Sequence, residues 1–358
     1  VGEPANVDIR DVEIIAPNFK KRLSGVTSTI IQLVPVQRAR GQKVAALGPG
    51  LPGTLAHIRF RDLLSLWSPP HGRSRRVWHA RRNLEMLPAI LMRDVLRMPL
   101  RIVFTSASQR HHSGWTKWLV SKMDAVIATS GKTSAYLTVP NTVILHGIDT
   151  ARFCPAADRS AAKSALGLDP RQKFVGCFGR VRHQKGTDLF VDTMIRLLPD
   201  RPNWSAIVAG RATSPHVEFE NGLKAKVAAA GLEKRILFVG EHTDIQNWYK
   251  ALDLFVAPQR WEGFGLTPLE AMASDVPVVA TDVGAFSELL VTGRTETGIL
   301  IKPDDLDAMT AAAAALIDDD TRREIASANA LEHAQSKFSI LNEVEALGRV
   351  YEELLTRS

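Results

Sequence analysis

Cysteine is nearly absent: Cys154 and Cys177 are the two thiols in 358 residues. Two thiols cannot build a disulfide framework or, by themselves, a four-ligand zinc site, so a reducing cytoplasm is the expected compartment. Long apolar runs are missing as well. The longest nearly apolar stretch, residues 308–317, is interrupted by Thr310 and falls far short of the roughly 20 residues a membrane-crossing helix requires. The first eleven residues carry acids and no apolar core, so no secretion signal is read there. Neither HExxH nor CxxC occurs, and no acidic cluster suggests a metal. Proline and glycine are not in excess, which argues against disorder. Lysine is missing from residues 59–110, a stretch that holds 11 arginines and three acids.

The charges present are unevenly placed. Residues 1–155 carry a balance of +13 and residues 156–358 one of −6. A basic half joined to an acidic half implies that the first half meets an anion. Guanidinium forks suit bidentate contacts with phosphate and carboxylate. Only Asp62, Glu85 and Asp94 lie near the arginines in sequence, so most of these cations are expected to lack a local acidic partner.

With 45% hydrophobic and 23% charged residues, the chain has the composition of a globular protein of two domains. Short apolar runs alternate with helical patterns, which argues for parallel sheets covered by helices. Residues 26–40 read as a helix interrupted near Pro35. Residues 82–97 read as one amphipathic basic helix with Met86, Leu87, Ile90 and Leu91 on its apolar side. The polar, Pro-containing stretch 155–171 is the expected boundary. The organisation is therefore 1–155, 156–340, and a terminal helix 341–358 returning to the first domain. Each domain is expected to be a Rossmann-like doubly wound α/β unit, the two facing across a cleft that takes the ligand.

Two glycine-rich motifs are rejected. Gly48-Pro49-Gly50-Leu51-Pro52-Gly53 has the letters of a dinucleotide fingerprint, but two prolines would spoil its donor cradle, so a stiff loop is expected. Ser130-Gly131-Lys132-Thr133 has the tail of a P-loop, yet Val126 stands where the first glycine belongs.

The informative stretch runs from Arg260 to Ala273, Arg-Trp-Glu-Gly-Phe-Gly-Leu-Thr-Pro-Leu-Glu-Ala-Met-Ala. It follows an apolar strand. Two glycines permit close backbone approach, and Pro268 suits a helix's first turn. Glu262 and Glu270 are acceptors fit for sugar hydroxyls. A Gly-rich turn at a strand's carboxyl end is a ligand position in such sheets.

This stretch resembles the Glu-x7-Glu motif of the retaining family 4 glycosyltransferases of the GT-B fold. Gly179-Arg180 with Lys185-Gly186 resembles that family's Gly-Arg…Lys-Gly loop. His146-Gly147-Ile148-Asp149 with Phe153-Cys154-Pro155 resembles its interdomain linker, and 277–284 resembles the strand and glycine turn that follow the motif. The resemblance implies catalytic roles for Arg180, Lys185 and Glu262, the two cations neutralising the departing diphosphate. It implies donor binding by Gly25, Gly210, Val239, Gly240, the backbone of Gly263, Phe264, Gly265, Leu266 and Thr267, and Glu270 on the ribose. No metal is then needed, because fixed cations and N–H dipoles stabilise the leaving group. Where many relatives have Thr-x-His, this chain has Thr105-Ser106-Ala107; His79, His111 and His112 are the candidates to stand in. The family's Gly-Gly-x-x-Glu turn is here Gly284-Ala285-Phe286-Ser287-Glu288, in which the bulk of Phe286 bears on the local donor contacts and Glu288 is kept.

Residues 18–28 and 78–83 narrow the resemblance to lipopolysaccharide-core mannosyltransferases, which move mannose from GDP-mannose to the Kdo sugar of a lipid A precursor. Kdo is a carboxylate sugar and lipid A is phosphorylated, in keeping with the basic half. Lys20, Lys21, Arg22, His79, Arg81, Arg82, Arg110 and His111 are the expected acceptor contacts. The resemblance implies no cofactor beyond the nucleotide sugar, and an enzyme of the cytoplasm, peripheral to the inner membrane, with helix 82–97 resting on the lipid. Another donor such as UDP-glucose, or another acceptor, is the alternative enzyme. An RNA-binding α/β protein using the arginines with Trp67, Trp78, Trp115 and Trp118 is the non-catalytic alternative; it leaves the Glu-x7-Glu and Arg…Lys loops unexplained, and no nucleic acid is expected.

Overall fold

The computed structural model describes residues 6–21 and 25–357; Arg22, among the expected acceptor contacts, lies outside them. Two compact units are present: residues up to Gly147 together with those from Ile340 onward, and Ile148–Ser339. The boundary expected at residue 155 falls earlier because the intervening residues are packed into the second unit. Phe153 is buried with its ring edge-on to Tyr249, and Arg152 bonds the Gln246 side chain. On the other side, Glu343 accepts from the Gly147 N–H at 2.7 Å and lies 2.8 Å from His146 Nδ1.

In the first unit the strands are β1 (Ile14–Pro17), β2 (Val44–Leu47), β3 (His57–Ile58), β4 (Arg76–Ala80), β5 (Leu100–Ser106), β6 (Ala125–Ala128) and β7 (Thr142–Val143). They pair in parallel in the order β3-β2-β1-β4-β5-β6-β7. Their continuous apolar runs suit a sheet buried on both faces. Ile14 and Ala16 pack with the helices Gly25–Ala39 and Ile340–Thr356. Ile15, Ala45 and Leu47 face the other way, onto Leu66, Met86, Ile90, Leu119 and Val120. The helix Ile340–Thr356 buries Ile340, Val344, Leu347, Tyr351 and Leu354 at helical spacing, completing this core from the far end of the sequence.

The second unit holds β8 (Lys173–Phe178), β9 (Trp204–Ala209), β10 (Ile236–Gly240), β11 (Leu254–Ala257), β12 (Val278–Thr281) and β13 (Gly298–Ile301), again parallel, in the order β10-β9-β8-β11-β12-β13. In both sheets the order reverses beside the first strand, between β1 and β4 and between β8 and β11. Ligands of doubly wound sheets bind at the carboxyl ends of strands beside such a reversal.

Four sequence readings are corrected. Helix Gly25–Ala39 runs through Pro35 without interruption, held by buried Ile30, Leu33 and Val34. Residues 82–97 are not one helix: α-helix Asn83–Ile90 passes into a wide π-turn, Leu91–Val95. Its burial also differs, because Met86 and Ile90 are inside but Leu91 is 48% exposed. Trp78 is fully buried, its Nε1 donating to the Glu85 carbonyl at 2.9 Å, and offers nothing to a base. Both rejected glycine motifs have structural roles. Asn18 Nδ2 donates to the Pro49 carbonyl at 2.8 Å, and Ser130 caps the short helix Gly131–Ser134.

Candidate active site

At the β8/β11 reversal two loops meet. The one after β8 carries Gly179, Arg180 and the turn His183–Lys185; the one after β11 carries residues 258–266 and leads into helix Thr267–Ala273. Their contact depends on Gly186, at φ +68°, where a Cβ would lie 1.8 Å from the Pro258 carbonyl oxygen. Lys185 Nζ forms a hydrogen-bonded ion pair with Glu262 Oε2, and the Gly263 N–H donates to Glu262 Oε1 at 3.0 Å. Two expected catalytic residues, 77 positions apart, are thereby brought together. Gly265, at φ +88°, has room for no side chain, because Phe286 Cε1 would lie 2.2 Å from its Cβ. Phe286 is itself fully buried, its ring packed against Gly265. The Thr267 hydroxyl is buried with no hydrogen-bond partner among the described residues. Gly210, Val239 and Gly240 lie at the carboxyl ends of β9 and β10, joined by a 2.6 Å bond from the Gly210 N–H to the Gly240 carbonyl.

Two residues that sequence reasoning missed hold this site. Arg260 donates to both Asp188 oxygens at 2.7 and 2.9 Å, pairs with Asp304, and reaches the His183 carbonyl. It fastens the Lys185 turn to the Glu262 loop, and its partners lie too far away in sequence to give a local signal. Tyr249, fully buried against Phe178, donates its hydroxyl to Glu270 Oε2 at 2.8 Å. Desolvation raises the Glu270 pKa above the ordinary carboxylate value; the Tyr249 hydrogen bond and the Arg152 charge oppose that rise.

In the first unit a cavity of about 380 Å³ opens at the carboxyl ends of β4 and β5. Arg81, Arg82, Arg110, His111 and His112 line it with Asn83 and several hydroxyls, and no acid lines it among the described residues. Ala107, standing where relatives have histidine, lines the same cavity as His111 and His112. His79 does not. It is 1% exposed, with Nδ1 2.6 Å from the Tyr351 hydroxyl and Nε2 2.6 Å from Thr105 Oγ1. Burial, first of all, lowers its pKa well below 6.5. Its place as an acceptor contact is therefore withdrawn: β4 points it into the core. Lys20 and Lys21 are exposed, and Gly25 opens helix Gly25–Ala39.

The arginine patch is also more paired than its sequence suggests. Arg93 and Arg101 share Asp124, Arg73 joins Glu352 and Glu13, and Arg59 and Arg82 meet Asp62 and Glu85. Arg76 is buried and donates to the carbonyls of Val12 and Ile9. Asp124, Glu13 and Glu352 come from other elements, so a window of sequence could not show them, whereas Asp62 and Glu85 lie three residues from their arginines. Arg82 also bonds Asn18 at 2.7 Å, which makes it part of the wall as well as the lining.

Residues 172–319 match the model of the group 1 glycosyl transferases. The chain is 72% identical to lipopolysaccharide core biosynthesis mannosyltransferase LpsB of Rhizobium meliloti (strain 1021), over 98% of this chain and 99% of the relative. It is 57% identical to lipopolysaccharide core biosynthesis mannosyltransferase LpcC of Rhizobium leguminosarum bv. viciae, over 97% and 98%. Among solved structures, the C-terminal domain of a group 1 glycosyl transferase (LpcC) from Francisella tularensis is 38% identical, with a TM-score of 0.52, covering 54% of this chain and all of that one. Anabaena Alr3699/HepE, solved with UDP and glucose, shares the fold at 19% identity and a TM-score of 0.79, over 95% and 99% of the two chains. Two doubly wound parallel sheets, an Arg…Lys loop facing a Glu-x7-Glu loop, and full-length identity of this degree place the chain in the family of the lipopolysaccharide core mannosyltransferases, within the GT-B group 1 glycosyltransferases.

Proposed function

We propose that this protein transfers mannose from GDP-mannose, with retention, to the Kdo sugar of an anionic lipid A precursor. The donor diphosphate lies against Arg180 and Lys185. A phosphate there competes with Glu262 for the Lys185 ammonium, and both cations offset the charge that builds as the sugar–phosphate bond breaks. Thr267 and the 263–266 backbone meet the phosphates and sugar, and Glu270 accepts from the ribose. Among the described residues no group of three or more His, Cys, Asp or Glu is placed to hold a metal, and the two cations supply the charge a metal would bring.

The single observation that carries the acceptor half is the cavity with two histidines, three arginines and no acid. A carboxylate sugar on a phosphorylated lipid has the complementary charge. No helix among the described residues is long and apolar enough to cross a membrane; in this reading the enzyme meets its lipid acceptor from the cytoplasmic side, at the inner membrane surface. The test is turnover with a Kdo-bearing lipid A precursor against a panel of sugar nucleotides. GDP-mannose is expected to be used best, and undiminished by a chelator. Arg110→Gln should raise the acceptor KM about tenfold, the loss of one charge-assisted hydrogen bond, with the donor KM unchanged. A preference for UDP-glucose, or a rescue by Mg²⁺ after chelation, would refute the corresponding part.

A further inference from the structure

We propose that Asn18, Thr27 and Glu85 form a buried cradle that positions Arg82 for the acceptor, so that this arginine is the preset cation of the cavity in the first unit. The inference deepens the acceptor reading above and rests on it. Four elements meet at the cradle. Asn18 follows β1, and Thr27 stands in the first turn of helix Gly25–Ala39. Arg82 follows β4, and Glu85 stands in the first turn of helix Asn83–Ile90. Asn18, Thr27 and Glu85 are each 0% exposed.

The Asn18 amide uses its whole hydrogen-bonding capacity. Its Nδ2 donates to the Lys20 carbonyl at 3.0 Å and the Pro49 carbonyl at 2.8 Å, and its Oδ1 accepts from Arg82 Nη1 at 2.7 Å and Thr27 Oγ1 at 3.2 Å. These partners suit asparagine and not aspartate, which when ionised has nothing to donate. The Thr27 hydroxyl gives its proton to Asn18 and accepts from Arg82 Nη2 at 3.3 Å. Glu85 Oε1 takes Arg82 Nη1 at 3.1 Å, and Oε2 takes the Arg81 N–H at 2.7 Å, which fixes the turn into the helix. The Gly48-Pro49-Gly50 turn acquires a role here. Gly48, at φ +123°, sits so close to Asn18 that a Cβ would lie 2.0 Å from the Asn18 carbonyl oxygen. That close seat brings the Pro49 carbonyl to the amide.

A structural ion pair needs less than this. Neutralising Glu85 takes one cation; it does not take two further buried polar side chains, from two other elements, on the same guanidinium. The cradle holds both Nη atoms of Arg82, yet the arginine still lines the cavity beside Arg81 and Arg110. A side chain ordered before its ligand arrives loses no rotamer freedom on binding, and a fixed fork presents its remaining charge in one direction. Arg110, by contrast, is exposed. Arg82 is thus the rigid cation against which a carboxylate or phosphate of the acceptor is aligned.

The experiment has two readouts on the whole protein. Side-chain NMR of nitrogen-labelled protein should show a guanidinium with hindered rotation, assigned to Arg82 by its disappearance in Arg82→Gln; Asn18→Ala and Thr27→Val should each release it. Kinetics with the Kdo-bearing lipid A precursor varied should then show Arg82→Gln and Asn18→Ala each raising the acceptor KM about tenfold, with kcat within about twofold, as for binding shared by ground and transition states. The double variant should be no worse than Arg82→Gln alone to within about twofold, because Asn18 acts through Arg82. Thr27→Val, nearly isosteric, keeps the test open where Asn18→Ala does not fold; it should raise the acceptor KM about threefold, and leave it unchanged when Arg82 is already glutamine. Multiplying effects in the combined variants overturn the proposal. So does an Arg82 that rotates freely in the wild type, or an Arg82→Gln variant with a lowered melting temperature and an unchanged acceptor KM, which makes the pair with Glu85 structural only. Failure of the acceptor reading shows separately, as absence of wild-type turnover with the Kdo acceptor while the hindered signal persists.

Discussion

At the scale of single residues, Tyr249 and Glu270 show how a buried neighbour sets the working range of a site carboxylate. Desolvation raises the Glu270 pKa, and the Tyr249 hydroxyl works against that rise by stabilising the ionised form. Tyr249→Phe removes the opposing bond. The acid limb of kcat/KM for the donor should therefore move to higher pH, with the loss of activity concentrated below neutrality and little change in the alkaline plateau. A pH profile of donor kcat/KM in the variant and wild type checks this; unmoved profiles would separate Tyr249 from the titration of Glu270. Arg152 is the charged group acting on Glu270 and is untouched by the substitution. Lys185 gives a second prediction. Lys185→Ala should lower kcat by about 10²–10³, the usual loss on deleting one stabiliser of developing charge, with the fold intact by circular dichroism. Turnover close to wild type would remove Lys185 from the reaction.

At the scale of elements, Arg260 is the fastening between the two loops of the candidate site. Its guanidinium grips Asp188, the His183 carbonyl and Asp304 at once. Arg260→Lys keeps the charge but cannot fork, so the Lys185 turn should lose its register against Glu262. A displacement near 1 Å in such a site costs about 10²-fold, and donor kcat/KM should fall by that order while acceptor KM stays. Steady-state kinetics with both substrates varied measures it. Neither Arg260 nor Tyr249 was legible beforehand, because each acts through a partner distant in sequence. The turn and helix start over residues 260–273 were legible, since glycines, Pro268 and the two glutamates lie within one short segment whose conformation is local. The strands could be placed for the same reason. The surroundings of residues 82–97 could not. Helical periodicity marks apolar positions, but it cannot say that Met86 and Ile90 face the sheet while Leu84 and Leu91 face outward. His79 was misplaced by the same limit: whether a strand residue points into the core depends on register with β1 and β5, which no single strand reveals.

At the scale of the whole molecule, the two units differ in how they close their cores. Residues Ile148–Ser339 form a continuous unit with a large core of their own. The first unit borrows the helix Ile340–Thr356, whose Val344, Leu347, Tyr351 and Leu354 complete its sheet face. A fragment of residues 148–339 should therefore fold alone and melt cooperatively, with a rise in melting temperature on adding GDP. A chain ending at residue 339 should leave the first unit unfolded while the second keeps its transition. Calorimetry of the two fragments distinguishes these outcomes, and a single native-like melt for the chain ending at 339 would contradict the role given to the terminal helix.

That borrowed helix has a consequence for the order in which the protein is made. The first 147 residues leave the ribosome long before the segment that completes their core exists. At about 5–20 residues per second, the wait is on the order of ten to forty seconds. The half synthesised second can therefore finish folding first, while the half synthesised first stays open with β1, β2 and β4 covered on one side by helix Gly25–Ala39 alone. A nascent chain stalled after residue 339 should accordingly expose those strands to trigger factor or protease, and release of some twenty more residues should end that exposure.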